Sequence, residues 1–390
     1  MSTATDIYWD PYDLELDTSP YEMWRRMRDE APVYRNDTYD FFALTRFEDV
    51  ENAHKDPATF SSAYGITLEM MTAGIGARTG SMIVQDPPEH TRLRHLVSRA
   101  FTPRRIADLE PKIRAICADL IDPHQGKGGF DYVQEFGAIL PSRVISTLVG
   151  VPPEDQDEQR HVIDQLFHIE PGVGMVNDIS ATAGMSLIVY LSELLAEREK
   201  SPQDDLLTAL NQAELTRNEA ANFAMLLFTA GTETVARLLG NAAVVLADNP
   251  DQRADLVENP DLVPNAVEEL LRFEAPSPVQ GRWTTRDVTL HGVDIPKGSK
   301  VLLLTGAAVR DERAFPDPDR FDVRRKIDHH VSFGYGIHFC VGAALARMEG
   351  RIALEETLKR HPQWDVDHAN ARRLHTSTVR GWAEVPILVG

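Results

Sequence analysis

The sequence predicts a mainly α-helical fold with small β-sheets, and three observations carry that expectation. Apolar residues recur at helical spacing over most of the chain. One helical stretch, 216–248, is apolar on most faces through its middle, as a helix crossing the interior must be. Strand-like runs are confined to two short regions.

Near the N-terminus, Val33-Tyr34 and 41–45 read as short strands joined by the polar turn Asn36-Asp37. Further on, Ile113, Ile116, Leu120 and Ile121 surround Cys117 at helical spacing, which makes that cysteine a small buried hydrophobe. The longest helix opens at Thr216, where Thr216 and Glu219 have capping-box spacing, and ends before Asn249-Pro250. It should run roughly 48 Å at about 1.5 Å per residue. A second strand-rich stretch, 288–304, is broken by His291-Gly292 and Pro296-Lys297-Gly298, and a last helical pattern covers 343–359. No internal repeat, low-complexity tract or Gly/Ser linker divides the chain, so one domain over 1–390 is expected.

Sixty acidic against 40 basic residues give a formal net charge of -20. That argues against nucleic acid or an anionic membrane as the main partner, since both reward a basic surface. Residues 1–11 lack the basic start and apolar run of a secretory signal, and no apolar run of about 18 residues is visible. A cytoplasmic monomer without membrane anchor is expected. With only Cys117 and Cys340, a disulfide scaffold is not.

Two stretches carry chemistry. In the middle of the long helix, Ala230-Gly231-Thr232-Glu233-Thr234 places a glycine and three polar residues where burial makes them costly unless something uses them. Later, Phe333-Gly334-Tyr335-Gly336-Ile337-His338-Phe339-Cys340-Val341-Gly342 puts a glycine-bearing loop before a cysteine and a helix directly after it. At a helix start, unsatisfied backbone N–H groups and the helix dipole favour the thiolate, the form that binds metal.

This loop resembles the cysteine-ligand loop of the cytochrome P-450 family, the haem-thiolate monooxygenases, and further landmarks follow in family order from Asp86 to Gly342. The resemblance implies a single-domain cytochrome P-450 fold with haem b (iron protoporphyrin IX) between the long central helix and the loop, and Cys340 as the iron ligand. Glu269-Leu270-Leu271-Arg272 resembles the family's Glu-x-x-Arg helix, and Pro318-Asp319-Arg320-Phe321 the loop whose arginine joins it. By spacing alone Glu269 and Arg272 could equally be a surface pair. The resemblance implies a buried structural triad of Glu269, Arg272 and Arg320.

Two haem carboxylates cannot be buried without partners. His90 and Arg94, at i and i+4, resemble the propionate-binding helix, and Arg282 and His338 stand in matching positions, with Arg286 a substitute for Arg282. Ala230, Gly231, Ser332, Phe333, Gly334, Gly342 and Ala346 complete the implied cofactor-binding set. Glu233 and Thr234 resemble the acid-alcohol pair that delivers protons when dioxygen is cleaved, Thr234 positioning a water and Glu233 linking it to solvent. Thr234 could also bond the Ala230 carbonyl and bend the helix.

The implied reaction inserts one atom of dioxygen into a small, mainly hydrophobic substrate. The implied wall segments 62–82, 165–177, 224–233, 275–280 and 375–378 contain Met70, Met71, Leu166, Phe167, Met175, Leu227 and Val279, with Arg78 a candidate carboxylate anchor. Electrons would come from a ferredoxin and a ferredoxin reductase. Arg92, Arg99, Arg104 and Arg105, joined by Arg347 and Arg351, would dock an acidic ferredoxin. Two alternatives stay open: a peroxide-driven peroxygenase of the same fold, and a non-catalytic haem protein.

Overall fold

The computed structural model describes residues 7–98, 102–170, 174–376 and 378–390. Arg99, the side chains of Arg78 and His375, and parts of segments 165–177 and 375–378 lie outside the described residues.

The long helix runs unbroken over Arg217–Asp248. Its capping box is made: the Thr216 hydroxyl accepts the Glu219 N–H at 3.3 Å, and the Glu219 carboxylate accepts the Thr216 N–H at 2.7 Å. Pro250, which has no N–H to continue the ladder, opens the next helix, Pro250–Glu258. Every residue from 235 to 246 is buried. Such a helix is held by packing on all sides, at roughly 1.5–3 kcal/mol per fully buried leucine-sized side chain. Its neighbours are helices Ile139–Val149, Asp178–Lys200 and Ala343–Arg360 and strand Arg380–Glu384. Gly231 permits the first of these contacts, because a Cβ there would lie 3.0 Å from the Ile145 side chain.

The strands form small sheets. The largest has the order Val33–Asn36, Phe41–Leu44, Lys300–Leu303, Gln280–Thr284, Phe60–Ser61. Phe41–Leu44 pairs in parallel with Lys300–Leu303, Phe41 opposite Lys300, and the other pairings are antiparallel. Asn36 stays within the first strand, and the turn falls on 37–40 instead of Asn36-Asp37. His291-Gly292 forms the expected turn, both with positive φ, between Val288–Leu290 and Val293–Ile295. Cys117 is buried in helix Glu110–Ile121.

Helix Asp178–Lys200 corrects one expectation. By length and composition it could cross a membrane, with a mean hydropathy of 1.5 over its most apolar window. No residue from 179 to 192 is charged: small residues such as Ala181, Ala183 and Gly184 precede Leu187, and Ile188, Val189 and Tyr190 separate it from Leu191. Leu187, Leu191, Leu194 and Leu195 are buried in the same apolar cluster as Ala224 and Leu227 of the central helix, so the apolar stripe is used in the core.

The structural triad differs from expectation in its third member. Glu269 and Arg272 are fully buried, and the Arg272 guanidinium donates to both carboxylate oxygens at 2.7 and 2.8 Å. The remaining donors are the Asp322 N–H at 3.0 Å and Arg325 Nε at 3.1 Å. Arg320 is exposed: its N–H closes a turn onto the Asp317 carbonyl, and its own carbonyl accepts from Arg325. The chain therefore needs five more residues to swing an arginine back onto Glu269.

Candidate active site

Between the central helix, helix Glu89–Ser98 and the cysteine loop lies a cavity of about 280 Å³. That is at the lower edge of the roughly 300–1,000 Å³ of ordinary small-molecule clefts. Cys340, His90, Arg94, Ala230, Gly231, Thr234, Arg282, Ser332, Phe333, Gly334, His338, Gly342 and Ala346 all line it. Of the acid-alcohol pair, Glu233 does not.

The loop is folded by its own backbone. The Cys340 N–H donates to the Phe333 carbonyl at 2.9 Å, and Gly334 and Gly336 take φ of 68° and 66°. At Gly336 a Cβ would also lie 2.6 Å from the His54 carbonyl oxygen, so glycine is required twice over. The following helix starts at Ala343. Burial pushes the Cys340 thiol up, against the Gly342 N–H, Arg94 and Arg347, which pull it down. The helix start alone therefore does not secure the thiolate, as the sequence had suggested. A bound cation reverses the balance, because a coordinating thiol is deprotonated outright. Burial pushes Cys117 up to about 12, which leaves it inert.

A second group of residues gathers basic side chains. His90 is 2% exposed, and neither ring nitrogen has a partner among the described residues. His338 lies with its ring centroid 4.2 Å from that of His90, and its Nε2 is likewise unpartnered. Burial, helped by Arg282, pulls His338 down to about 2. Burial also lowers Arg282 to about 10, and its Nη1 donates to the Gly281 carbonyl at 2.7 Å. Arg94 donates to the Phe339 carbonyl at 2.7 Å. Arg286 points elsewhere, to Thr59 at 2.8 Å and Asp56 at 3.4 Å.

On the central helix the Thr234 hydroxyl donates to the Ala230 carbonyl at 2.8 Å, and the helix stays continuous through it. Glu233 is turned away into an ion pair with Arg237, Nη2 to Oε2 3.0 Å, and Arg237 also donates to the Trp382 carbonyl. Burial pushes Glu233 up while Arg237 opposes it, and Asp164 adds to the rise.

The comparisons fit this arrangement. The cytochrome P450 family model matches residues 174–380. A putative cytochrome P450 123 of Mycobacterium tuberculosis is 41% identical over 98% of this chain and 97% of its own. The chain belongs to the cytochrome P450 family. A vitamin D(3) 25-hydroxylase of Pseudonocardia autotrophica is 38% identical over 95% of this chain and 94% of its own. The bacillaene polyketide synthase cytochrome P450 PksS of Bacillus subtilis 168 superposes with a TM-score of 0.91 at 31% identity, covering 98% of this chain and 100% of that one. As a cytochrome P450 this chain is a monooxygenase, an oxidoreductase whose cofactor is haem b.

The cavity suits that cofactor on its own evidence. A thiol on its wall can ligate iron, and buried imidazole nitrogens without partners, beside two guanidiniums, suit two buried carboxylates.

Sequence reasoning missed three residues. His54 is buried and lines the cavity, but its partner Arg282 is 228 positions away. Arg237 sits one turn beyond Glu233, a spacing that could have been read. Glu349, on the helix after Cys340, is a buried carboxyl on the cavity wall whose Oε2 has no partner among the described residues, and burial pushes it well above the carboxylate range. Of the apolar residues expected to line the pocket, Leu227 does, joined by Ile66, Met82, Ile83 and Leu226, whereas Met70, Met71, Leu166, Phe167, Met175 and Val279 lie off it. Met71 is instead packed in the core.

The expected basic docking patch is largely paired within the chain. Arg92 bonds Glu89 and Glu219, Arg347 bonds Glu268, and Arg351 bonds Glu110 and Glu355.

Proposed function

We propose that this cytochrome P450 works as one cytoplasmic domain over 1–390 and oxygenates a small, mainly hydrophobic substrate with electrons from a ferredoxin and its reductase. The observation that carries the reading is the placement of Cys340 and Thr234 on one cavity whose basic side chains keep unpartnered nitrogens.

Cys340 holds the iron, and His90, Arg94, Arg282 and His338 hold the haem carboxylates. Ser332, Phe333, Gly334, Gly342, Ala346, Ala230 and Gly231 form the walls around the ring. The thiolate-ligated haem, when bound, activates dioxygen by pushing electron density toward oxygen-oxygen cleavage. The protein's part is to deliver protons and keep bulk water out. Thr234 does the positioning: its hydroxyl is half-buried on the wall and anchored to the Ala230 carbonyl, so its oxygen can accept from a water while staying fixed. Glu233 is the proton source. Held by Arg237, it must leave that pair to face Thr234, and burial raises its affinity for protons against the pull of Arg237.

Substrate class follows from the wall. Ile66, Met82, Ile83, Leu226, Leu227 and Pro276 present hydrocarbon near the central helix, which supports an apolar, uncharged ligand. A relative named for 25-hydroxylation supports hydroxylation as the reaction type. The ferredoxin reading rests on likeness to bacterial members of the family.

The test is a spin-shift screen of apolar compounds, followed by turnover with a ferredoxin system and reduced nicotinamide. Hits should raise electron consumption and yield oxygenated product. Thr234→Ala should bind them equally but divert most electrons to hydrogen peroxide. Product formed at wild-type coupling by Thr234→Ala would remove Thr234 from proton delivery.

A further inference from the structure

The cavity contains one basic side chain that the roles above leave unused. His54 closes helix Phe47–Lys55, is 4% exposed, and lines the cavity beside His90 and His338. Its placement is fixed from two sides. The cysteine loop packs on it, the Gly334 Cβ position lying 3.8 Å from its Cε1 and the Gly336 position against its carbonyl. Arg282 Nη2 lies 3.3 Å from His54 Nδ1.

That last contact determines the tautomer. A guanidinium has donors only, so Nδ1 must accept and the ring proton must sit on Nε2. Nε2 is buried and has no partner among the described residues. A buried N–H without an acceptor is costly, and such groups in native proteins usually meet a ligand or water. Here the neighbours on the wall, His90, His338, Arg94 and Arg282, are all bases, so the missing partner is an acceptor and an anion suits it best.

We propose that His54 is a further haem-carboxylate ligand, its Nε2–H donating to a propionate oxygen while its Nδ1 orients Arg282 toward the same group. The proposal rests on the haem site above. Two guanidiniums already balance two carboxylates, so the added contact should come from a neutral donor. Burial and the Arg282 charge supply one by holding His54 down to about 3.

The test uses ferric holoenzyme and two variants. His54→Phe keeps a ring but has no N–H, whereas His54→Gln keeps a donor near the Nε2 position. The propionate bending bands in resonance Raman spectra should move in His54→Phe and stay close to wild type in His54→Gln. Haem transfer to apomyoglobin should be roughly tenfold faster for His54→Phe, the loss expected from one hydrogen bond to a charged group. Unmoved bands with wild-type transfer in His54→Phe would overturn the proposal, and so would equal shifts in both variants, which would mark a packing role. Should His54→Phe not fold, ¹⁵N-histidine spectra of the reduced, carbon-monoxide-bound wild type decide. A protected His54 Nε2–H, lost when haem is replaced by its dimethyl ester, supports the contact; the same protection with the ester overturns it. Wild-type protein that binds no haem would instead refute the haem site itself.

Discussion

Two clusters of buried ionisable side chains in this molecule are differently finished. Around Glu269 and Arg272, both 0% exposed, the carboxylate accepts four donors and the guanidinium spends its remaining reach on the Val309 and Pro318 carbonyls. Around the cavity, His54, His90, His338 and Glu349 all keep at least one polar atom without a partner among the described residues. An unpartnered buried polar group costs roughly 1–3 kcal/mol. Several in one place mark where a ligand supplies the missing partners, while a closed network marks scaffold.

The contrast breaks first at its closed end. Glu269→Ala strands Arg272 and Arg325 without their anion and should cost about 3–5 kcal/mol, read as a large drop in denaturation midpoint with loss of haem. A loss below about 1 kcal/mol would show the network to be no scaffold.

At the open end the sign should reverse. His90→Leu removes two unpartnered nitrogens, so the haem-free protein should be unchanged or up to about 1 kcal/mol more stable, while haem transfer to apomyoglobin accelerates several-fold. Haem-free His90→Leu that is clearly less stable than wild type would erase the difference between the clusters.

How much of this was legible in the sequence follows the same division. The capping box at Thr216 is readable from spacing, and the cysteine loop and the His90/Arg94 pair were readable through their resemblance to a family pattern, because the parts of each lie within one turn or one loop. The closed network was half readable: Glu269 and Arg272 share a helix, but which later arginine reaches them depends on the turn at Asp317, and Arg325 takes the place assigned to Arg320. Within the basic run, Arg92 pairs with Glu219 as well as with its neighbour Glu89, and the acid 127 positions away could not be read from spacing. His54 was invisible for the same reason, its partner being 228 positions away. Glu349 followed the motif in plain view, but nothing local reveals that its carboxyl turns inward.

Glu349 sharpens the comparison with a smaller, pH-dependent effect. Its folded-state pKa is raised above 4.5 by burial. Between 4.5 and that raised value the native state keeps a proton that the unfolded chain has lost. Its stabilising share is thus fully present below the unfolded pKa and falls as pH rises, by about 1.4 kcal/mol per pH unit. Glu349→Gln lacks this slope, so its denaturation midpoint should gain on wild type as pH is raised above 5. Parallel curves would mean that Glu349 is ionised and paired in the native protein.

The reading of the open cluster as a haem site stands on Cys340, and the spectrum of the reduced protein under carbon monoxide tests that residue. Wild type and Cys117→Ser should both show the red-shifted thiolate-type Soret band, and Cys340→Ser should bind carbon monoxide without it. A thiolate band that survives in Cys340→Ser, or disappears from haem-loaded Cys117→Ser, would contradict the assignment.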